Sequence, residues 1–508
     1  MFTPLNLLIT RLSYLLLFLP LLILSYNAAA QEAPLMHHDT LLAGNGPLEE
    51  GLPHGHWEFM NADSIVLERG SYDHGLRTGI WTFYNTQGER LARIDYQDYS
   101  YSGYFPDGSL SETGKITPQW EKDQQWSYYH SPHQLHSRGN YREGLKTGTW
   151  EYWYPDGTKS AEIAIENGSS AYWHPNGNLS MKGEVKQGMR HGTWEFYYED
   201  GQLKERNIYK ADKKNGPANL YYPDGTLEFE GHFKDDLLDG YNKWYHKNGV
   251  LEMEGRSIED LQDSTWTFYF PDGQIASAGD FVQGKEEGPW IFFYVSGQKL
   301  RQGNMSKGMR HGSWTTWYTS GNVSHQGDFY QDKESGLWTS FFENGQVKDK
   351  GSFVEGQMDG LWQGWFENTA PRYDVHYKEG NRHGVSTHWH QDGNQRQRAG
   401  YSEGALHGEW IRWHDNGNIM EQGVYDNDLK TGLWSFFDQA GKLIREQEFK
   451  DNRAEGSFTS YYENGRRRQQ GLYLEGHRHG KWTYWDQEGR KVKTMEYLNG
   501  KLISQETF

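Results

Sequence analysis

The sequence predicts an all-β fold: an elongated single-sheet β-hairpin meander, a solenoid of about 18 repeats of 24 residues. Three observations predict it. Glycine returns every 24 residues from Gly168 through Gly192 and Gly216 to Gly480, with Ser264 the one exception among fourteen positions. Counting from each register glycine, position +5 is aromatic in all fourteen units, from Trp173 and Tyr197 to Trp485. The chain is polar, with mean hydropathy −0.94, aromatics at 16% and 60 glycines, which suits a thin sheet better than a thick aliphatic core.

Each element of the repeat follows from its phase. Position +2 is tryptophan in nine units, among them Trp290, Trp314 and Trp434. Position +9 is again glycine, as in Gly273, Gly297 and Gly345, and Thr369 is the single failure. A glycine there supplies the left-handed residue that closes a short hairpin loop. With a three-residue loop, +5 lies opposite +11, which is mostly aliphatic (Leu203, Ile275, Val323, Leu443). The second strand often carries a glycine followed two residues later by a ring, as Gly279 and Phe281 do. No segment from 31 onward shows a sustained 3.6-residue apolar period, so helices are expected to be nearly absent.

The ends and the N-terminal units depart from this regularity. Residues 1–30 read as a signal peptide: Arg11, an apolar run from Leu12 to Leu24, and Ala28-Ala29-Ala30 before Gln31. The run is shorter than the roughly 20 residues that span a bilayer, and Pro20 interrupts it. Residues 31–50 read as a flexible lead-in, 51–167 as irregular repeats, 168–497 as regular ones and 498–508 as a C-terminal cap.

The pattern G-x-W-x-x-Y-x-x-x-G with a trailing G-x-Y/F resembles the MORN repeat in its bacterial variant form, over roughly residues 50–497. Gly70 to Gly75 and Gly188 to Trp194 look like its core signature. The resemblance implies a β-hairpin array. Members of the family include scaffolds, membrane-associated proteins and bacterial proteins described as antitoxin-like or envelope-associated, so an antitoxin or immunity role is implied by resemblance only.

Charge and motifs narrow the function classes. Without the leader the chain carries −19, which argues against nucleic acid and anionic lipid as main partners. Membrane contact is expected only through an uncleaved leader. There is no cysteine, hence no lipoprotein anchor and no disulfide. Histidines before register glycines (His191, His311, His383, His407, His479) invite a metal reading. Adjacent units stand about 10 Å apart by strand spacing, too far for consecutive ones to share a zinc. They are read as polar turn residues. The Asp-Gly and Asn-Gly turns lack the spacing of calcium loops. No P-loop, nucleophile elbow or paired glycosidase carboxylates are found, so no enzyme, metal or cofactor is expected. Asn167, Asn178, Asn304 and Asn322 head Asn-x-Ser sequons.

The expectation is a non-enzymatic, exported scaffold, periplasmic, envelope-bound or extracellular, that holds a protein partner. A glycan or peptidoglycan polymer stacked on exposed rings is the second partner class. The candidate binding surface is Trp317, Trp365, Trp389, Trp413 and Trp485 with Arg310 and Arg382. The triplets at +21 to +23, such as Lys285-Glu286-Glu287, Met309-Arg310-His311, Gln357-Met358-Asp359 and Asn381-Arg382-His383, are expected to be variable loops along one edge.

Overall fold

In the computed structural model, which describes residues 43–508, strand follows strand through 43 elements with no helix. The expected signal peptide and the first part of the lead-in lie outside the described residues. Forty-one strands form one antiparallel sheet that is not closed into a barrel, and Leu48–Glu49 pairs with Leu52–Pro53 as a separate small hairpin. This is the predicted all-β single-sheet meander. The array falls into two compact units, residues 43–226 with 233–236, and residues 227–232 with 237–508.

The second unit shows the repeat most regularly. Strand Lys285–Phe293 leads into a turn closed by Tyr294 N–H donating to the Gln298 carbonyl (2.8 Å) and Gly297 N–H to the Tyr294 carbonyl (2.9 Å). Gly297 takes φ +85°, the left-handed conformation expected at +9. Thr369 takes φ +68° in the same place. The +5/+11 pairing forms as predicted: Tyr269 faces Ile275, Trp317 faces Val323 and Phe437 faces Leu443, each beside a register shift in the ladder.

The return strand Lys299–Ser306 ends in a two-residue turn, Lys307 (φ +53°) and Gly308 (φ +84°), with Ser306 paired to Met309. Two positive φ values make this a type I′ turn, whose twist matches the flanking strands. The register glycine is elsewhere. Gly312 (φ +67°) lies inside strand Met309–Trp317, where pairing jumps from Gln302↔Thr315 to Asn304↔His311. It forms a bulge, so the 24-residue glycine marks a kink within a strand. The triplets expected as loops are therefore strand residues, Lys285–Phe293, Met309–Trp317, Gln357–Trp365 and Asn381–Trp389 containing one each. The phased histidines likewise sit in strands: His191 pairs with Glu184, His311 with Asn304 and His479 with Leu472.

The core is built from the +2 tryptophan and the glycine eleven residues before it. A Cβ added to Gly303 would stand 2.2 Å from Trp314 Cδ2, and one at Gly279 would stand 2.2 Å from Trp290 Cδ2. The indole plane rests on bare backbone. Its Nε1–H donates to the carbonyl of the residue after that glycine: Trp266 to Arg256 (2.9 Å), Trp290 to Asp280 (3.2 Å), Trp314 to Asn304 (3.0 Å). This seat leaves Trp266, Trp434 and Trp482 at 0% exposure in a single-layer sheet. Rings at +4 extend the stack, from Trp266 through Phe268, Trp290 and Phe292 to Trp314, with centroids 5.8–6.3 Å apart. Where a side chain replaces the glycine, the facing residue changes too: Val375 faces Ser386, and Gln447 faces Phe458. Ala399 faces Trp410, which is only half-buried and whose Nε1 has no hydrogen-bond partner.

Hairpins are also pinned to their successors. The ring at +6 donates to the +5 carbonyl of the next unit, Tyr294 to Trp317 (2.9 Å), Tyr318 to Phe341 (2.8 Å) and Tyr462 to Trp485 (2.8 Å). At the tight turns, Asp332 Oδ1 accepts from Arg310 N–H (3.0 Å) and Asp428 Oδ1 from Leu406 N–H (2.8 Å).

In the first unit the same seat holds Trp81 on Gly70, Trp126 on Gly114 and Trp150 on Gly139. Its irregular stretch packs Trp81, Phe83, Ile94, Tyr101, Ile116 and Trp126 into one cluster around short strands such as Ser100–Tyr104. Within the segment read as a lead-in, Ala43–Asn45 pairs with Gly55–Met60, Gly46 seats Trp57, and Trp57 Nε1 donates to the Pro47 carbonyl (2.9 Å). In the second unit, the expected C-terminal cap is strand Lys501–Thr507, paired with Lys491–Leu498 and exposed throughout.

Candidate functional site

Side chains alternate across a strand, so the +2 and +4 rings share one face while +3 and +5 point to the other. In some units the tryptophan face is closed by a long cation at +22, where others have Glu286, Glu334, Met358 or Ala454. Lys430 Nζ lies 3.7 Å from the Trp434 ring centroid, the Arg478 guanidinium 4.3 Å from that of Trp482 and the Arg310 guanidinium 3.8 Å from that of Phe329.

The opposite face is polar apart from exposed aliphatics at +1 such as Leu337, Leu361, Val385 and Leu433, and carries one half-buried ring per repeat at +5. Tyrosines there donate to a carboxylate at +14 of the preceding unit: Tyr245 to Glu230 (2.9 Å), Tyr269 to Glu254 (2.7 Å), Tyr461 to Glu446 (2.7 Å). Burial first, and the adjacent carboxylate second, push these three phenols up to about 12. The side chain at +14 beside these rings varies in charge along the second unit, among them Glu254, Gln302, Lys350, Asp374, Arg398 and Glu446. Ion pairs tie neighbouring repeats, Lys243 to Glu230 (3.3 Å) and Arg398 to Glu409 (3.5 Å).

The seven predicted site residues divide between these two faces. Trp317, Trp365, Trp389, Trp413 and Trp485 are all at +5 and half-buried on the polar face. Trp317 lines a shallow depression of about 280 Å³ with Pro289, Gln302, Gly303, Asn304, Ser313 and Thr315. Lys299 Nζ stands 5.7 Å from its ring centroid. Arg310 and Arg382 belong to the tryptophan face. Arg310 is engaged in the fold, its Nε bonded to Asp332 Oδ1 at 2.9 Å. Arg382 is exposed, with Nη1 donating to Tyr401 Oη at 3.2 Å. The five rings and two arginines therefore do not form one surface.

Two features escaped the sequence reading. The glycine–tryptophan seat was visible as a constant eleven-residue spacing, as in Gly255 to Trp266 and Gly423 to Trp434. The division of polar side chains between faces was not visible, because the bulge at the register glycine interrupts simple alternation.

The family model described as MORN repeat variant matches residues 190–211, 214–235, 238–257, 334–355, 406–427, 430–451 and 454–475. The chain carries MORN repeats. Each match opens at +22, just before a register glycine, and runs to the first residue of the following tight turn, or to Ser257 just short of it in one case, so the seated +2 position and the +5 ring fall inside the MORN unit. No curated protein matches this chain. Among solved structures it is similar to chains in the crystal structure of TcdB2-TccC3-Cdc42 (10% identity, TM-score 0.14, 88% of this chain and 30% of that one). It is also similar to a chain of the Photorhabdus luminescens Tc holotoxin pore (10% identity, TM-score 0.13, 94% and 30%). The chain spans about 30% of the length of those it matches.

Proposed function

We propose that this chain is a non-enzymatic, exported scaffold that holds a protein partner along the polar face of its MORN repeats. The observation that carries this reading is the +5 row: one half-buried ring per hairpin, set beside a +14 side chain that is acidic at Glu254, Asp374 and Glu446 and basic at Lys350 and Arg398. Rings supply apolar contact at low entropic cost, and charge variation writes a register that a protein surface can match and a uniform polymer cannot. An antitoxin-like role is the specific form of this proposal. The test is co-purification from the envelope fraction by the wild-type chain and by a Trp365→Ala/Trp389→Ala/Trp413→Ala variant of unchanged circular dichroism. A stoichiometric protein retained by the first and lost from the second is expected. Equal retention by both overturns the assignment of the face.

The depression at Trp317 favours a second reading. An indole flanked by the amides of Gln302 and Asn304 and the hydroxyls of Ser313 and Thr315 suits a sugar ring. Retention on insoluble cell-wall polymer that disappears with Trp317→Ala would support a glycan ligand, and no retention by the wild type removes it.

A further inference from the structure

We propose that Glu49, His54 and His74 form a divalent-metal site, of the nitrogen-rich kind that takes zinc. One donor atom from each residue lies within 4.8 Å of the other two. His54 Nε2 and Glu49 Oε2 are 3.1 Å apart. Two ligands of a tetrahedral ion with bonds near 2.0–2.1 Å stand about 3.3 Å apart, so this pair is already at the spacing of a coordination edge. His74, on an exposed turn with its donor within 4.8 Å of the other two, needs to close by at most about 1.5 Å to complete the set.

The surroundings match the second shell that such sites require. Asp73 Oδ1 is 2.7 Å from His74 Nδ1, which fixes that ring and leaves Nε2 for a ligand. The same Asp73 oxygen lies 3.6 Å from His54 Nδ1, a nitrogen with almost no solvent access and no hydrogen-bond partner. Coordination through His54 Nε2 would put the proton on Nδ1, facing that carboxylate. The two imidazoles meet edge to face with centroids 5.2 Å apart. Backbone bonds clamp the three segments together: His54 N–H to the Pro47 carbonyl (3.0 Å) and Gly75 N–H to the Pro53 carbonyl (2.8 Å). Two imidazoles and a carboxylate suit zinc over magnesium or calcium, with the fourth position left to water.

This site escapes the spacing objection that disposes of the other phased histidines. His54 precedes Gly55 as they precede theirs, but its partners come from the tight turn of the same hairpin and from the small Leu48–Glu49 hairpin outside the main sheet. The ion would tie that hairpin to the first repeat.

The experiment is zinc titration of the untagged full chain by calorimetry, with Co²⁺ substitution read in visible absorption. One equivalent is expected, giving the intense bands of a tetrahedral site. His54→Ala and His74→Ala should abolish it, Asp73→Asn should weaken it about tenfold to a hundredfold, and His407→Ala should leave it unchanged. Zinc should also slow amide exchange in residues 43–53. No binding by the wild type overturns the proposal. So does binding that survives both histidine variants, or a weak octahedral cobalt spectrum.

Discussion

Replacing Gly303 by alanine asks whether bare backbone under the indole is what buries the tryptophans. The new Cβ would lie 2.2 Å, 2.4 Å and 2.4 Å from Trp314 Cδ2, Cε2 and Cγ. Carbon atoms pack at about 3.5–4.0 Å, so the ring must withdraw by more than about 1 Å. Trp314, now 5% exposed, would lose burial and the 3.0 Å bond from Nε1 to the Asn304 carbonyl. Overpacking costs about 1–3 kcal/mol and the hydrogen bond about 0.5–1.5 kcal/mol. Alanine recovers about 0.5–1 kcal/mol of strand entropy, leaving a net loss of about 1–3 kcal/mol. Repeat arrays need not unfold in one step, so the assay is local amide exchange across Lys299–Ser306 and Met309–Trp317. Exchange about 5-fold to 150-fold faster is expected. In a Trp314→Ser background, which copies the natural Val375–Ser386 pair, the same substitution should be neutral or stabilising. Unchanged exchange in the wild-type background, or an equal loss in both, would refute the seat.

Three further outcomes follow from named residues. Ala399→Gly should let Trp410 settle and satisfy its orphan Nε1, slowing exchange in Gln395–Ser402 and Ala405–Trp413; faster exchange would contradict this. Thr369→Gly should stabilise its hairpin by about 1 kcal/mol, because a β-branched residue is held at φ +68°, and the reverse change Gly345→Thr should destabilise by a similar amount. Tyr245, Tyr269 and Tyr461 have folded pKa values of about 12 against an unfolded value near 10, so their neutral forms favour folding. That contribution is complete below pH about 10 and is lost as pH rises to about 12. Thermal melts between pH 9 and 12 should show the decline, and Glu254→Gln should shift the onset of Tyr269 ionisation at 295 nm to lower pH.

The hairpin was legible because its wide turn is specified locally: glycine at +9 fixes the loop, and the loop fixes +5 against +11. The other half of the repeat was misread for a physical reason. A glycine with positive φ serves a turn and a bulge equally well, and Gly312 looks in sequence like the end of a loop while it kinks a strand. The tight turns lacked an obvious signature because Asp332, Asp428 and Asn452 occupy left-handed positions that glycine holds elsewhere, each accepting a backbone N–H with its side chain. The candidate site was half legible. The tryptophans at +5 share a face because they share a phase, whereas Arg310 and Arg382 lie across a bulge that sends them to the other side. Glu49, His54 and His74 were not legible as a group, since nothing in their spacing shows that the small hairpin folds against the first turn.

The central claim is that one face of these repeats is core and the other is for recognition. Site-specific photo-cross-linking in the native envelope tests it most directly, with a benzophenone side chain in place of Trp365, Trp389 or Trp413 on one face and of Arg310 or Arg382 on the other. A discrete protein adduct from the tryptophan positions and none from the arginine positions is predicted. Adducts confined to the arginine positions, or absent from every position, would contradict it.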